Sequence, residues 1–383
     1  MVRRGYAGPR RACWERIGGV AVPWSAVPDT TPPDPPPSLR RSLRRDAIRA
    51  LGVLLGACGA LLALLGVGKP MSPVFWGWVA LALSFSTGCW LRGRARRLVL
   101  LSSTAVGGIG FALVLAASGP REGSFLLAIR TPNGEPLPRW TSLVPERDTA
   151  LATAPFVTSS AELDGLLPAL DAVYGELEGD VAYRRTTQPT TLVGGQTAER
   201  SDAFMHMEAE SSRWVIFLHG FGGNAASGCW VVATAAAGAG WSTLCPSTSV
   251  AGTWGRGDGP AIFDASLRFV AERGARDVVV AGYSNGAAGA LQILEATERR
   301  EIVGLFLLSG FDPRADASSI RVPTLIVSGA EDSRFDAHAL VFWVRQIERC
   351  ELLVVPGADH MLLVKRRPRL AGALQRYLRR LAR

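Results

Sequence analysis

The chain has 383 residues, 48% of them hydrophobic and 20% charged, with 42 Lys and Arg against 33 Asp and Glu, a formal net charge of +9. That length allows one large domain and an additional module. Residues 1–121 hold 16 basic and 4 acidic side chains and residues 365–383 hold 8 and none, so the stretch between, with 18 basic and 29 acidic, is net −11; the basic excess belongs to the two ends and excludes a nucleic-acid footprint on the body.

In chain order, residues 1–45 read as an unpacked, basic and Pro-rich tail. The run Pro28-Asp29-Thr30-Thr31-Pro32-Pro33-Asp34-Pro35-Pro36-Pro37 favours an extended linker over helix or sheet. Residues 46–118 hold three apolar runs, Ala47 to Val67, Val74 to Leu91 and Leu98 to Ala117. Each is about the 20 residues that a helix needs to cross the hydrocarbon of a bilayer. Glycines at 52, 56, 59, 107, 108 and 110 suit close helix contact, and Trp76, Trp78 and Trp90 lie near run ends, where indoles favour the interface. A soluble helical bundle is the rival reading. Arg40, Arg41, Arg44 and Arg45 precede the first run, and Arg92, Arg94, Arg96 and Arg97 fill the loop between the second and third. Basic flanks stay cytoplasmic. The expectation is a multi-pass chain with its amino terminus in the cytoplasm and the rest, after three crossings, outside it.

Residues 119–180 read as a connecting segment with an amphipathic helix. Leu163, Leu166, Leu167, Leu170, Val173, Tyr174 and Leu177 form its stripe, introduced by the capping box Ser159-x-x-Glu162. It is expected to pack on the domain, with a lid as the alternative. From 181 to 383, β-branched and apolar runs alternate with helical patterns. Trp214 to Leu218, Asp277 to Ala281, Leu305 to Leu308, Pro323 to Gly329 and Glu351 to Val355 read as buried strands. The last segment, Lys365 to Arg383, places Leu370, Leu374, Tyr377, Leu378 and Leu381 on one helical stripe. It is expected to pack on the sheet, and its arginines also suit anionic lipid headgroups. Of six cysteines, Cys229, Cys245 and Cys350 fall in this region. They form no disulfide framework, although a pair such as Cys229 with Cys245 is open to an oxidising compartment.

Several strands end in chemistry. Gly282-Tyr283-Ser284-Asn285-Gly286 stands between a strand and an Ala/Leu-rich helix pattern. A sharp strand-to-helix turn exposes a nucleophilic serine and holds it rigid, and side chains at the flanking glycines would clash. The strand ending at Leu218 runs into His219-Gly220-Phe221-Gly222-Gly223-Asn224. Its Phe221 N–H, with the Asn285 N–H, is the expected pair of oxyanion donors. A structural hydrogen bonder is the alternative role for His219. Two further strands end at Ala330-Glu331-Asp332 and at Pro356-Gly357-Ala358-Asp359-His360. Histidine would take the serine proton and return it to the leaving group, while the carboxylate fixes its tautomer. Among the four histidines, His338 falls in a helical pattern and His206 in an early strand region. For the acid, Glu331, Asp336 and Asp312 stay open beside Asp332, and Asp359 reads as a loop acid. Gly220-Phe221-Gly222-Gly223 fails the dinucleotide fingerprint at its third glycine. No Cys/His cluster has metal-ligand spacing.

With the order Ser284, Asp332, His360, each at a strand end, the chain from about residue 180 resembles the α/β-hydrolase superfamily. The resemblance implies an α/β fold: a mostly parallel eight-stranded sheet with helices on both faces, here preceded by three transmembrane helices. It also implies Ser284 as nucleophile, His360 as base and Asp332 as orienting acid. The loop Gly310 to Val322 is too short for the helical cap that many lipases carry there. The site is therefore expected to be open, or covered by Thr248 to Gly259 or by the amphipathic helix. Trp254 and Tyr283 are the expected substrate-binding residues. The function expected is a membrane-anchored serine hydrolase cleaving a small-molecule or lipid ester or thioester, with no metal or organic cofactor and no nucleic-acid partner. A peptidase or acyltransferase on the same residues, and a non-catalytic membrane scaffold, are the alternatives.

Overall fold

The computed structural model describes residues 14–17, 20–23, 37–117, 125–131, 133–136, 146–180, 195–209, 211–223, 225–296 and 299–383. The chain divides into two compact units, Met1–Leu51 and Gly52–Arg383. In the first, β1 (Trp14–Ile17) and β2 (Val20–Pro23) pair antiparallel, so a tail expected to be unpacked holds a short hairpin. Residues 24–36, with most of the proline run, lie outside the described residues.

Three long helices follow: α1 (Pro37–Gly66), α2 (Pro73–Trp90) and α3 (Gly93–Ala117). Three spans were expected. Among the described residues, one stretch is long and apolar enough to cross a membrane, the 21 residues Asp46–Gly66 of α1. α2 has 18 residues, and the 25 residues of α3 open with Arg94, Arg96 and Arg97. Small residues do bring α1 and α2 together. Ser86 Oγ donates to Gly52 O at 2.7 Å, and a Cβ on Gly56 would lie 2.6 Å from Ser86 Oγ. Ser72 caps α2, its hydroxyl accepting the Phe75 N–H, with Pro73 in the first turn.

The remaining elements are β3 (Leu127–Thr131), β4 (Glu135–Pro136), α4 (Glu146–Val157), α5 (Ser160–Leu163), α6 (Leu166–Gly179), β5 (Ser201–His206), β6 (Arg213–Leu218), α7 (Ala226–Ala237), β7 (Ser242–Pro246), α8 (Gly259–Ala271), β8 (Asp277–Tyr283), α9 (Asn285–Ala296), β9 (Ile302–Leu308), β10 (Thr324–Gly329), α10 (Ala337–Val344), β11 (Cys350–Val355), α11 (Leu362–Lys365) and α12 (Arg367–Leu381). Nine strands make one sheet in the order β11-β10-β9-β8-β6-β7-β5-β3-β4. From β11 to β7 every pairing is parallel, and β5 runs antiparallel to both of its neighbours. Leaving aside the two-residue β4, these are the eight strands of an α/β-hydrolase fold. The expected boundary at residue 181 falls within this sheet, because β3 pairs with β5 from Leu127↔Met205 to Thr131↔Ser201. Residues 125–180 therefore build the body rather than connect to it.

Alternation along each strand feeds two cores. Val215, Phe217, Val279, Ala281, Phe306 and Leu308 face α4, α6, α7 and α12. Trp214, Ile216, Val278, Val280, Leu305 and Leu307 face α8, α9 and α10. The stripe read in the last segment is buried as α12, and Tyr377 Oη donates to Pro323 O at 2.7 Å. Cys229 of α7 is disulfide-bonded to Cys245 of β7, 16 residues on. A loop of that size is worth about 3 kcal/mol on the chain-entropy account.

Candidate active site

Because β6, β8, β10 and β11 are parallel, their carboxyl ends fall along one edge of the sheet, the edge at which open α/β sheets place ligands. Ser284 sits between β8 and α9 with φ of +55°, in the left-handed region that costs an L-residue strain. Two glycines make the turn possible. A Cβ on Gly286 would lie 2.0 Å from Leu218 O, and one on Gly220 would lie 2.9 Å from Ser284 Cβ. The Ser284 N–H donates to Leu308 O at 2.9 Å, which ties the turn to β9.

His360, five residues past β11, places Nε2 2.9 Å from Ser284 Oγ. Its Nδ1 lies 2.9 Å from Asp332 Oδ2, and both side chains are buried. With Nδ1–H donating to the carboxylate, Nε2 is left to accept the serine hydroxyl. The other oxygen of Asp332 accepts the N–H groups of Arg334 at 2.9 Å and Phe335 at 3.3 Å, so the carboxylate cannot swing. Of the acids left open by sequence, Asp312 is engaged by Gln292 and Arg314 and Asp336 caps α10, while Glu331 is exposed. His206 bonds Phe125 O and Glu208, and His338 is exposed.

The turn 219–223 stands over Ser284. Phe221 N–H has no hydrogen bond with another described residue. Asn285 opens α9, and the first N–H groups of a helix lack internal acceptors. Both expected donors are thus available near the serine. His219 shapes the turn from inside. Burial, against a bond to Gly220 O, pushes its imidazole down to about 4, so it is neutral. Its Nδ1 is 2.8 Å from Gly220 O, and its Nε2 accepts the Thr248 N–H at 3.1 Å.

Trp254 requires correction. It is fully buried on the far side of this turn, packs against Gly289 of α9 and donates its indole N–H to His219 O at 2.9 Å. It walls no cavity. Its loop braces the turn instead: Val250 O accepts from Gly222 N–H at 2.8 Å, and Ala251 O accepts from Asn285 Nδ2 at 2.8 Å. Tyr283 does line a cavity. That cavity, about 350 Å³, is walled by α4, by Leu166, Leu170 and Tyr174 of α6, and by residues 219–223. Sequence reasoning missed α4 altogether, since Pro155 and the polar residues of Glu146–Val157 blur its helical period. The amphipathic stripe was read correctly, but Gly165, with φ of +68°, splits it into α5 and α6.

No family model and no curated protein sequence matches this chain. Solved structures do resemble it. Est1E from Butyrivibrio proteoclasticus is 18% identical, with a TM-score of 0.41 over 48% of this chain and 95% of that one. An α/β serine hydrolase without lid from Xanthomonas campestris is 21% identical, with a TM-score of 0.42 over 49% and 92%. An α/β serine hydrolase homologue from Coxiella burnetii is 22% identical, with a TM-score of 0.39 over 49% and 94%.

Proposed function

We propose that this protein is a membrane-anchored serine hydrolase that cleaves a carboxylic ester or thioester through an acyl-enzyme. The observation that carries the reading is the continuous chain Ser284 Oγ to His360 Nε2 to Asp332, with both links at 2.9 Å and all three groups at strand ends. In the proposed cycle His360 takes the hydroxyl proton as Ser284 attacks the carbonyl carbon. Charge then gathers on the carbonyl oxygen, where the N–H groups of Phe221 and Asn285 stabilise it. His360 returns the proton to the departing alcohol or thiol, and water repeats the sequence to release the acid. The acyl group is placed in the apolar cavity beside Tyr283.

Anchoring by three spans, with the body outside the cytoplasm, is part of the proposal. Large apolar side chains stand exposed along the three helices, among them Leu54, Leu61, Leu64, Trp90, Leu98 and Ile109. Ser72, at the loop before α2, bonds to Asp148 of the body, which supports a reading with that loop and the body on one side of the membrane. This is the side that the arginine pattern gives both of them. The Cys229–Cys245 disulfide fits an oxidising compartment.

The test is hydrolysis of p-nitrophenyl esters of graded acyl length by detergent-solubilised protein beside Ser284→Ala. The variant should lose activity by a factor on the order of 10³ or more at every length. Folded wild type that is no faster than the variant would defeat the reading.

A further inference from the structure

One attachment of the cavity wall takes no part in this chemistry. Glu146, Thr149, Ala150, Thr153, Ala154 and Val157 recur along α4 at three- and four-residue spacing and line the cavity. Asp148 points elsewhere. It is fully buried, and it accepts both the N–H of Ser72, at 2.9 Å, and the Ser72 hydroxyl. A buried carboxylate is costly unless its hydrogen bonds are made, and here the start of α2 makes them. Met71 and Phe75, flanking Ser72, are buried in the same core cluster as Leu151, Leu166 and Leu170. The cavity wall is thus fastened to the head of a helix in the apolar module.

The other end of α4 is apolar and bare. Phe156 is 68% exposed, Val157 36% and Phe221 55%, and the last two also line the cavity. Single exposed apolar side chains are ordinary on soluble proteins, but here two of the three line one cavity and the third, Phe156, is the chain neighbour of Val157. Phe156 stands eight positions after Asp148, so it lies about 12 Å along the helix from the attachment to α2. That is within reach of the headgroup layer of a bilayer that α2 enters.

We infer that the cavity takes up the acyl chain of an ester resident in the bilayer, admitted past Phe156 and Val157 of α4 and Phe221, with α4 held at the membrane by Asp148 and Ser72. This rests on the membrane-anchored hydrolase reading above. It adds the physical state of the substrate: an ester still embedded in lipid rather than one dissolved in water.

The experiment uses the full chain carrying Ser284→Ala, reconstituted in phosphatidylcholine vesicles in which some lipid bears a diazirine at the end of one acyl chain. Irradiation and peptide mapping should find cross-links on α4 and α6 as well as on α1. Adding Phe156→Asp should lower the α4 and α6 cross-links about tenfold, roughly what burying one phenyl ring is worth, and leave those on α1 unchanged. An unchanged unfolding temperature checks that variant, and Phe156→Ser replaces it if Asp lowers the temperature. Cross-links confined to the three long helices, or cavity cross-links indifferent to Phe156, would overturn the inference. Hydrolysis of p-nitrophenyl esters of graded acyl length by the Ser284 protein is read separately. Cavity cross-links without turnover of p-nitrophenyl esters at any acyl length would uphold the lipid route and defeat the catalytic reading; turnover without cavity cross-links would do the reverse.

Discussion

The indole N–H of Trp254 and the imidazole of His219 grip the turn 219–223 from behind, the first at His219 O and the second at Gly220 O and Thr248 N–H. Backbone donors work only if their aim is fixed before charge develops, so bonds behind the turn act on the rate rather than on binding. Trp254→Phe keeps an aromatic ring in the core and removes the donor, with part of the indole's volume, so an unchanged unfolding temperature is checked alongside. One neutral hydrogen bond is worth about 0.5–1.5 kcal/mol. The expected result is a kcat about three- to tenfold lower on a short ester, with KM nearly unmoved. A variant as fast as wild type would show that the turn holds without this bond. That Ser284, His360, Asp332 and the turn 219–223 come together was foreseeable in sequence because each is a short motif anchored to a strand end. Trp254 was misplaced for a physical reason: a glycine-rich loop with one large aromatic reads the same whether that aromatic points into a cavity or into the core.

At the scale of elements, α4 and α6 wall the cavity, and Glu162, between them, ties that wall to the segment after β10. Its carboxylate accepts from Arg334 Nε at 3.0 Å and Nη2 at 2.9 Å, while the same guanidinium donates to Val157 O at 2.7 Å. Burial disfavours the charge on Glu162, but Arg334 and the Ser159 N–H outweigh it and hold the carboxyl below its ordinary range. Arg334 stands two residues after Asp332 and donates its own N–H to that carboxylate. The wall and Asp332 therefore share a bonding partner. Glu162→Gln keeps the shape and removes the charge. A hydrogen bond to a charged group is worth about 1.5–3 kcal/mol, less here because Arg334 is partly in water. KM for a long-chain ester should rise roughly tenfold while turnover of p-nitrophenyl acetate changes little. Equal losses on both esters would place the effect on Asp332 instead of on the wall. The capping box at Ser159 and Glu162 was plain in sequence. Its partner 172 residues away was not, because no local pattern carries a contact of that separation. For the same reason the expected boundary at residue 181 missed β3, whose five residues join the sheet only by pairing with β5.

Across the whole molecule, two buried groups set opposing dependences of stability on pH. Burial raises the Glu146 carboxyl to about 7, against the pull of Tyr174 Oη and the Ala226 and Ser227 N–H groups. Burial likewise lowers the His219 imidazole to about 4. Unfolded, they titrate near the ordinary values of 4.5 and 6.5. Between pH 4.5 and 7 the unfolded chain has lost the Glu146 proton that the folded chain keeps, so this group erodes stability as pH rises. Between pH 6.5 and 4 the unfolded chain gains a His219 proton that the folded chain refuses, so that group erodes stability as pH falls. Where the windows overlap the two slopes nearly cancel. Glu146→Gln removes the first and leaves the second exposed. The unfolding free energy of the variant relative to wild type should therefore climb by about 3 kcal/mol from pH 4.5 to pH 7, measured by denaturant titration at fixed salt. The comparison is a difference, so every carboxylate common to both proteins drops out. Parallel curves would mean that Glu146 ionises normally in the fold. The climbing curve would mean that the cavity wall is uncharged at Glu146 over the lower part of this range, as suits a cavity meant for an acyl chain.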